Sequence, residues 1–516
     1  MIERVAGWHF GLRLGLAICF GVVTALGFEP FAWWPLLVPG IAGFSLLALG
    51  AGRLPRALAL GLAYGLGYMG VGLNWMRAIF VEAMLGIVLV TALVYVLLAA
   101  LVFAVRRLAV WPLAAAAAWV AVEAMISRWP FDGFGWMRIG YALTDAPLAG
   151  LYPLVGVPGM TFAVALLAQG LLWLLDRASW RRSGALAAAL GVVAATAWAG
   201  AAVPPGAAGE TVAVGWVQGG APGGGVYGIG EPRTMPRNHL AETEALFAEV
   251  AAGRQPAPDF VVWPENGTDL DPYHDQETAG LLRQALEIAG VPIFVGTILD
   301  GPGEDERQTA SLWLDPQDGE TARYVKRGIV PFGEFVPYRD LLLPLFPILR
   351  YVGAQSIAGT EPGVIPARTA AGEFPLGVMI CYDVSFDRYA HDTVLAGGEV
   401  LVVQSSNAMY QGTGQIDQQF AITRARAAEL RREILVVTTS GVSGLIRPDG
   451  SVDFSVSDPG AASGVVELPR RTGLTPAVTV APVLEGGLAA ATLVLVAVGL
   501  LPASLRFLAA WRRLAE

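Results

Sequence analysis

Eight long apolar stretches constrain this chain more than any other feature. A helix needs about 20 mostly apolar residues to cross the hydrocarbon core of a bilayer. Stretches close to that length lie at 10–28, 34–50, 56–76, 84–105, 108–126, 155–175, 184–203 and 485–506. Only 15% of the 516 residues are charged, whereas soluble proteins average about 25%. We therefore predict a membrane α-helical bundle of about eight transmembrane helices.

The arginines between these stretches predict how the bundle is oriented. By the positive-inside rule, the loops rich in arginine face the cytoplasm. The arginines of one side are Arg4, Arg13, Arg53, Arg56, Arg106, Arg107, Arg177, Arg181, Arg182, Arg512 and Arg513. The opposite loops hold only Arg77, Arg128 and Arg138. Both termini are then cytoplasmic, and the polar region that follows the seventh stretch lies outside the cytoplasm.

That polar region has the pattern of a layered α/β domain. Short apolar runs typical of buried strands alternate with segments of helical spacing. We expect three parts: transmembrane helices at 1–203, an extracytoplasmic domain at 204–483, and a final helix with a cytoplasmic tail at 484–516.

Three polar residues stand out because each directly follows a predicted strand. Glu265, Lys326 and Cys381 come after the apolar runs 261–264, 321–325 and 377–380. A cysteine attacks a carbonyl as its thiolate, which a nearby ammonium stabilises. A carboxylate can take the thiol proton and return it to the leaving group, and a lysine can stabilise the oxyanion. These residue types predict nucleophilic catalysis.

Other classes of function find little support in the sequence. The four histidines show no metal-ligand spacing, so we expect neither a metal nor a cofactor. No long Lys/Arg run predicts nucleic-acid binding. The apolar stretches lack paired charges that would indicate a transport route, and Glu123 is expected near a helix end at the membrane interface.

Three sequence blocks around the polar residues resemble a known family. Residues 263–266 (WPEN), 324–337 (YVKRGIVPFGEFVP) and 380–383 (ICYD) are similar to the signature blocks of the nitrilase superfamily. The PFGEFVP segment and the apolar stretches together resemble the apolipoprotein N-acyltransferase family, over essentially the whole chain.

The resemblance implies an αββα nitrilase-like sandwich and an acyl transfer in two steps. A phospholipid would acylate Cys381 as a thioester, and the N-terminal amine of a diacylated apolipoprotein would then take the acyl chain. Glu265 would act as general base and acid, and Lys326 would hold the oxyanion with the backbone N–H of Tyr382. Glu334 is expected to orient Lys326 or the incoming amine. The family also implies the bacterial cytoplasmic (inner) membrane, and we expect a monomer.

Some positions depart from the family's commonest pattern. Asp383 stands where a glutamate is usual, and Gly328 replaces a frequent histidine. Residues 408–410 (AMY) follow Asn407 where a different stretch is common. Asp383 and Asn407 are expected to support the site, and the departures suggest altered substrate preference rather than lost activity.

The segment 339–353 (RDLLLPLFPILRYVG) is strongly apolar for a region outside the membrane. It is either a core segment of the domain or an arm that dips into the lipid interface, and we favour the arm. Its lipid-contacting residues would include Leu341, Leu342, Leu343, Leu345 and Phe346.

Two alternative functions remain open at this point. A membrane-tethered amidase of the nitrilase type would use the same three residues, although a soluble substrate needs neither the bundle nor the arm. A non-enzymatic membrane scaffold with a decayed site would not need Glu265, Lys326 and Cys381 intact.

Overall fold

The computed structural model describes residues 1–177 and 179–501 of the chain. The chain divides into two compact units. The first, called the helical unit, comprises Met1–Val203 and the residues from Pro476 onward. The second, called the α/β unit, is Pro204–Thr475. Arg512 and Arg513, which entered the orientation argument, lie outside the described residues.

The helical unit has a helix at each of the eight predicted positions. These helices are Phe10–Ala25, Leu37–Leu49, Leu54–Gly72, Val81–Val105, Trp111–Ile126, Tyr152–Asp176, Trp180–Ala201 and Ala477–Leu500. The last helix begins at Ala477, well before residue 485, and contains Pro482.

Not all of these helices have the length and composition of a membrane span. Within the described part of the chain, four helical segments are long and apolar enough: Val81–Val105, Ala149–Asp176, Trp180–Ala201 and Ala477–Leu500. Three further apolar helices are shorter, at 10 to 17 residues. The protein therefore has a helical region with several apolar helices, whereas the number of eight spans stays a prediction.

Small residues allow the helices of this unit to approach one another closely. A Cβ on Gly21 would lie 2.2 Å from the Tyr64 carbonyl oxygen, and one on Gly61 would lie 2.3 Å from that of Tyr95. Such contacts are typical of helix packing in membranes, where small side chains let backbones meet. Beside them, the rings of Phe44, Tyr64, Tyr95 and Trp119 pack with centroids 4.5–6.1 Å apart.

The expectation that the apolar stretches lack paired buried charges is wrong. Glu123 is buried, accepts hydrogen bonds from the Thr161 hydroxyl at 2.7 Å and the Ile139 N–H at 2.8 Å, and lies 3.7 Å from Arg138 Nε. Arg138 also binds Glu485 Oε1 at 3.0 Å, and Glu485 pairs with Arg128 as well. Arg138 and Glu485 are 347 positions apart in sequence, so local spacing could not reveal the pair.

The α/β unit contains two sheets. Its strands are β1 (Ala207–Gln218), β2 (Phe260–Trp263), β3 (Ile293–Asp300), β4 (Glu306–Asp315), β5 (Gly319–Val325), β6 (Gln355–Ser356), β7 (Val364–Thr369), β8 (Gly372–Ile380), β9 (Val400–Ser405), β10 (Ile434–Thr438), β11 (Ser443–Ile446), β12 (Val452–Val456) and β13 (Ala462–Thr472). One sheet has the order β13-β1-β2-β3-β4-β5, with β6 paired to β4, and the other has the order β12-β11-β10-β9-β8-β7.

The two sheets share one hydrophobic core. Residues of the first sheet such as Phe260 and Trp313 are fully buried in one cluster with Leu376 and Val402 of the second. Alternate residues of β2 point the other way, so that Val261 and Trp263 pack with the outer helices Thr234–Ala251 and Gln276–Ala289. Burial on both faces explains the continuous apolar run of β2. The helices Asp387–Leu395 and Gly414–Leu430 follow strands of the second sheet.

Both sheets contain a parallel core of strands. β1, β2 and β3 are parallel to one another, and so are β8, β9 and β10. The carboxyl ends of parallel strands meet at one edge of a sheet, where ligands usually bind. Glu265 follows β2 and Cys381 follows β8, so the topology places both at such edges.

Candidate active site

Glu265, Lys326 and Cys381 come together at the ends of their strands. The Lys326 ammonium lies 2.8 Å from Glu265 Oε1 and 2.9 Å from Glu334 Oε1. The side chains of Lys326 and Glu265 are only 1% and 5% exposed, so this ion pair is shielded from water. Cys381 interacts electrostatically with Glu265, Lys326 and Glu334.

Glu265 is held by two elements besides Lys326. Its second carboxylate oxygen, Oε2, accepts a 2.9 Å hydrogen bond from the backbone N–H of Ser406, just after β9. The Gln404 side chain, at the end of β9, donates to the Trp263 carbonyl at 2.6 Å and accepts from Ser311 at 2.5 Å. Gln404 thus links the opposite sheet to Trp263, the last residue of β2, which lies two positions before Glu265.

Cys381 begins a short turn, Cys381–Ser385, at the end of β8. Its φ of 50° lies in the left-handed region, which costs energy for a residue with a side chain and recurs at functional sites. Burial raises the pKa of the Cys381 thiol, and the charges of Glu265 and Glu334 raise it further against the opposing effect of Lys326. The resting residue is therefore a thiol, and formation of its thiolate would require a base.

Lys326 remains charged in spite of its burial. Burial alone would lower its pKa, but the carboxylates of Glu265 and Glu334 outweigh that effect and hold the pKa well above its ordinary value. Glu334 is itself oriented by the Val330 N–H, which donates to its Oε2 at 2.8 Å. Of the two expectations for Glu334, the contact with Lys326 is the one that this geometry supports.

Asp383 is fully buried and accepts three hydrogen bonds within the protein. The donors are the backbone N–H of Gly328 at 2.6 Å, the backbone N–H of Ile380 at 2.9 Å and the hydroxyl of Tyr324 at 3.0 Å. These contacts join the loop after Lys326 to the residue before Cys381. The geometry assigns Asp383 a positioning role rather than a direct contact with substrate.

Two further predicted residues support the loops around the site. The ring of Tyr382 is buried and packs edge-on against Phe386, with centroids 4.9 Å apart. Asn407 is buried with a left-handed φ of 57° and starts the turn Ala408–Tyr410. Tyr410 in that turn interacts electrostatically with Cys381. Asn407 therefore shapes a loop that borders the thiol.

The apolar segment after the PFGEFVP block is exposed rather than part of the core. It forms the helix Arg339–Leu345 and the turn Pro347–Val352, and none of these residues is buried. Leu341, Leu345 and Phe346 are 65%, 64% and 55% exposed, whereas Leu342 and Leu343 are half-buried. We call residues 339–353 the arm.

Hydrogen bonds close the base of the arm. Arg339 donates to the Gly353 carbonyl at 3.0 Å. The Ser356 N–H donates to the Glu334 carbonyl at 2.8 Å, and the Val336 N–H donates to the Gln355 side chain at 2.7 Å. The arm is thus joined at its base to Glu334, the residue that binds Lys326.

A histidine and two aspartates form a cluster in the α/β unit, in which His274 and Asp300 are exposed and Asp271 is buried. His274 Nδ1 is 2.6 Å from Asp300 and 3.3 Å from Asp271. Asp300 ends β3, so sequence spacing did not indicate this cluster. The two carboxylates share one imidazole, and the expectation of no metal stays a prediction.

Several residues of the site were not indicated by sequence reasoning. Gln404 is a polar residue near the end of the apolar strand β9, and Ser406 directly follows that strand. The signal that indicated Glu265, a polar residue at the end of an apolar strand, would therefore have indicated both. Gln419, by contrast, lies in the middle of the helix Gly414–Leu430. No local pattern distinguishes it from an ordinary helical glutamine, although it is buried beside Ser405.

Comparisons with known proteins agree over most of the chain. Residues 20–170 match the family model described as the apolipoprotein N-acyltransferase N-terminal domain. Residues 226–458 match the carbon-nitrogen hydrolase model. A protein of Mycolicibacterium smegmatis named apolipoprotein N-acyltransferase is 33% identical, with 97% of this chain and 89% of that protein aligned.

A further relative bears the same name, and the solved structures include an amidase with a weaker similarity. The apolipoprotein N-acyltransferase of Pseudomonas syringae is 31% identical over 87% of this chain and 89% of its own length. Among solved structures, an amidase of the nitrilase superfamily from Nesterenkonia covers 53% of this chain and 95% of its own, with 14% identity and a TM-score of 0.39.

Proposed function

The chain belongs to the apolipoprotein N-acyltransferase family, and from that membership we propose how its α/β unit carries out the reaction. The protein is an acyltransferase that N-acylates lipoproteins, with a lipoprotein as acceptor and a phospholipid as donor. The observation that carries the proposed mechanism is the buried Glu265–Lys326 ion pair beside Cys381.

In the first step, Cys381 Sγ attacks the carbonyl carbon of a phospholipid acyl ester. Glu265 takes the thiol proton, which the raised pKa of Cys381 makes necessary. The carboxylate then gives that proton to the glycerol oxygen as the carbon–oxygen bond breaks. The products are a Cys381 thioester and a lysophospholipid.

In the second step, the free α-amine of an S-diacylglyceryl cysteine attacks the thioester carbonyl. Glu265 takes a proton from the amine nitrogen, and Sγ leaves as the carbon–sulfur bond breaks. The proton passes from Glu265 to the sulfur. An amide bond has formed, and the thiol and the carboxylate are both regenerated.

Lys326 stabilises the oxyanion that forms in each step. An ammonium has three donors, and the carboxylates of Glu265 and Glu334 accept from two of them. The third donor is directed to the developing oxyanion together with the backbone N–H of Tyr382. Such preorganised donors supply much of the catalysis in acyl transfer.

Both substrates are lipids, so the site has to work at a membrane surface. The exposed arm residues Leu341, Leu345 and Phe346 support this arrangement, because large apolar side chains exposed together favour contact with acyl chains. We place the α/β unit on the extracytoplasmic face of the bacterial inner membrane, following the arginine distribution. The proposed mechanism requires no group from a second copy, and we propose that the protein acts as a monomer.

The mechanism is tested by intact-protein mass spectrometry of the full-length enzyme in detergent. Incubation with phosphatidylethanolamine of one acyl length should add the mass of one acyl chain. A peptide that begins with diacylglyceryl cysteine should remove the adduct, and the same peptide with its amine acetylated should not. An adduct that survives the free-amine peptide would contradict the proposed second step.

Two cysteine variants provide the matched comparison. Cys381→Ala should form no adduct, whereas Cys19→Ser, which changes the exposed cysteine of the helical unit, should form it like the wild type. Release of ammonia from small amides without any lipopeptide acylation would instead favour the amidase alternative. Inactivity in both assays would favour the scaffold.

A further inference from the structure

Gln419 is a buried glutamine on a helix that packs against the turn beginning at Cys381. It is 3% exposed and lies on the helix Gly414–Leu430. Its Nε2 donates to Ser405 Oγ at 2.7 Å. The same amide acts as a hydrogen-bond donor towards the Cys381 thiol and opposes the rise of its pKa. Ser405 ends β9, whose neighbour β8 ends at the residue before Cys381.

The orientation of this amide is determined by its other contact. Gln415, one helical turn earlier, donates from its Nε2 to Gln419 Oε1 at 3.1 Å. The carbonyl end of Gln419 therefore faces Gln415, and the NH₂ end faces Ser405 and Cys381. A primary amide has two N–H donors, which suffices for the serine oxygen and the sulfur together.

We propose that Gln419 is a catalytic residue of the acyl transfer, whose side-chain N–H stabilises the Cys381 thiolate in both steps. This rests on the proposed role of Cys381 as nucleophile. In the first step, the hydrogen bond from the Gln419 N–H favours the thiolate as Glu265 removes the proton. In the second step, it stabilises the same sulfur as it leaves the thioester.

The charged groups around the sulfur explain why such a donor matters. The charges of Glu265 and Glu334 disfavour a negative sulfur, and burial acts in the same direction. Lys326 opposes them, but its ammonium is shared with two carboxylates. Gln419 adds a neutral hydrogen-bond donor that, unlike the Lys326 ammonium, is not shared with a carboxylate. Hydrogen bonds to the charged form of a group lower the pKa of an acid.

The test measures alkylation of Cys381 by iodoacetamide as a function of pH in the full-length protein. All variants carry Cys19→Ser, so that mass spectrometry reports one thiol. Replacing Gln419 by Leu should move the alkylation profile to higher pH and lower the rate at fixed pH about tenfold. Gln415→Leu should shift it in the same direction by less, because the amide is then free to turn.

Thr423→Val is the matched control. Thr423 lies on the same helix and is equally buried, but its hydroxyl donates to the Gln419 backbone carbonyl rather than to the sulfur. Its alkylation profile should coincide with that of the parent. Parent-like profiles in both Gln419→Leu and Gln415→Leu would overturn the proposal.

Acyl transfer supplies the second measurement. In Gln419→Leu, formation of the thioester from phosphatidylethanolamine and its discharge by the lipopeptide should both slow. If the alkylation profile shifts in Gln419→Leu but the parent protein never forms the thioester, the proposed function is rejected. The hydrogen bond between the amide and the sulfur would still be supported. An unchanged profile with normal thioester formation would reject the role of Gln419 alone.

Discussion

The Gly328 N–H donates a 2.6 Å hydrogen bond to Asp383 Oδ1, and these are two positions at which we expected the sequence to depart from the family's commonest pattern. A Cβ on residue 328 would lie 2.8 Å from that oxygen and 3.2 Å from Cε2 of Tyr389. Glycine therefore permits the close approach of the short aspartate. The bond sets the loop after Lys326 against the turn that begins at Cys381.

Replacing Gly328 by Ala should disturb this contact. The added methyl group has to push Asp383 or Tyr389 aside, and overpacking of a buried site costs about 1–3 kcal/mol. We expect a lower Tm of the full-length protein and slower thioester formation. Differential scanning fluorimetry and the mass-spectrometric adduct assay measure the two effects.

Gly280→Ala is the matched control for this substitution. Gly280 lies in the helix Gln276–Ala289, and the nearest atom to an added Cβ is 3.8 Å away. Since alanine favours a helix more than glycine does, its Tm should stay the same or rise. A Gly328→Ala protein that matches this control in Tm and rate would contradict the positioning role of the contact.

Replacing Lys326 by Met should affect both activity and stability. The change leaves the carboxylates of Glu265 and Glu334 without their common partner, and breaking a buried ion pair costs about 3–5 kcal/mol. Loss of an oxyanion donor lowers kcat by about 100- to 1,000-fold. Kinetics with a fluorescent phospholipid and a thermal melt measure these two losses separately.

Lys326→Arg tests whether a positive charge at this position is sufficient or whether the geometry of the ammonium is also required. The guanidinium restores a cation between the two carboxylates, but its planar fork does not reproduce the three donors of an ammonium. We expect part of the Tm to return while kcat remains low. Wild-type kcat in either variant would exclude Lys326 from the chemistry.

Replacing the exposed arm residues Leu341, Leu345 and Phe346 by Ser should weaken the use of lipid in bilayers. Full burial of one such side chain contributes about 1.5–3 kcal/mol, so losing even one contact raises the KM for vesicle phospholipid about tenfold or more. The kcat with a detergent-dispersed short-chain donor should stay near wild type. Steady-state kinetics with both donors provide the comparison.

Leu395→Ser controls for the loss of an exposed leucine. Leu395 ends the helix Asp387–Leu395 and is 54% exposed, but it is not part of the arm. Its KM for vesicles should not change. If the arm variants also keep the wild-type KM, the arm does not engage lipid.

Two buried histidines should give the stability of the protein opposite pH dependences. Burial alone lowers the pKa of His391, but the Glu429 carboxylate at 3.2 Å outweighs it and the pKa is raised. The folded state then binds this proton more tightly than the unfolded chain. The stabilisation is complete below the unfolded pKa of about 6.5 and is lost as the pH rises through the folded pKa.

His239 should act in the other direction. Burial lowers its pKa to about 4, and its ring stacks on Trp263 with centroids 5.4 Å apart. Its contribution is complete above about pH 6.5 and is lost as the pH falls towards 4. The Tm of His391→Gln should vary less with pH on the alkaline side, and that of His239→Gln less on the acid side. Unchanged profiles in both variants would refute these assignments.

The sequence was most informative where the physical signal is local. Glu265, Lys326 and Cys381 were recognised because each is a polar residue that follows a predicted strand. Partners that are distant in the chain could not be recognised in this way. Gly328 and Asp383 are 55 positions apart, so no local pattern could indicate that they are in contact.

The helical unit shows the same limit. Hydrophobic runs located the eight apolar helices named above, because burial and lipid exposure both require apolar side chains. The same runs did not reveal the pairing of Arg138 with Glu123 and Glu485, since that depends on which helices and loops are neighbours. Gln419 was missed for a similar reason: its importance lies in the sulfur that it faces, and nothing in its own helix indicates it.

The hydrogen bond from Ser356 to the Glu334 carbonyl defines where the arm can be exchanged. Grafting the corresponding segment of a relative with different lipid preference requires two junctions. Junctions placed after Val336 and before Gln355 would leave Glu334, Ser356 and the bond between them intact. Chimeras cut closer to Lys326 would alter the ammonium's surroundings together with the transplanted segment, and would confuse selectivity with catalytic rate.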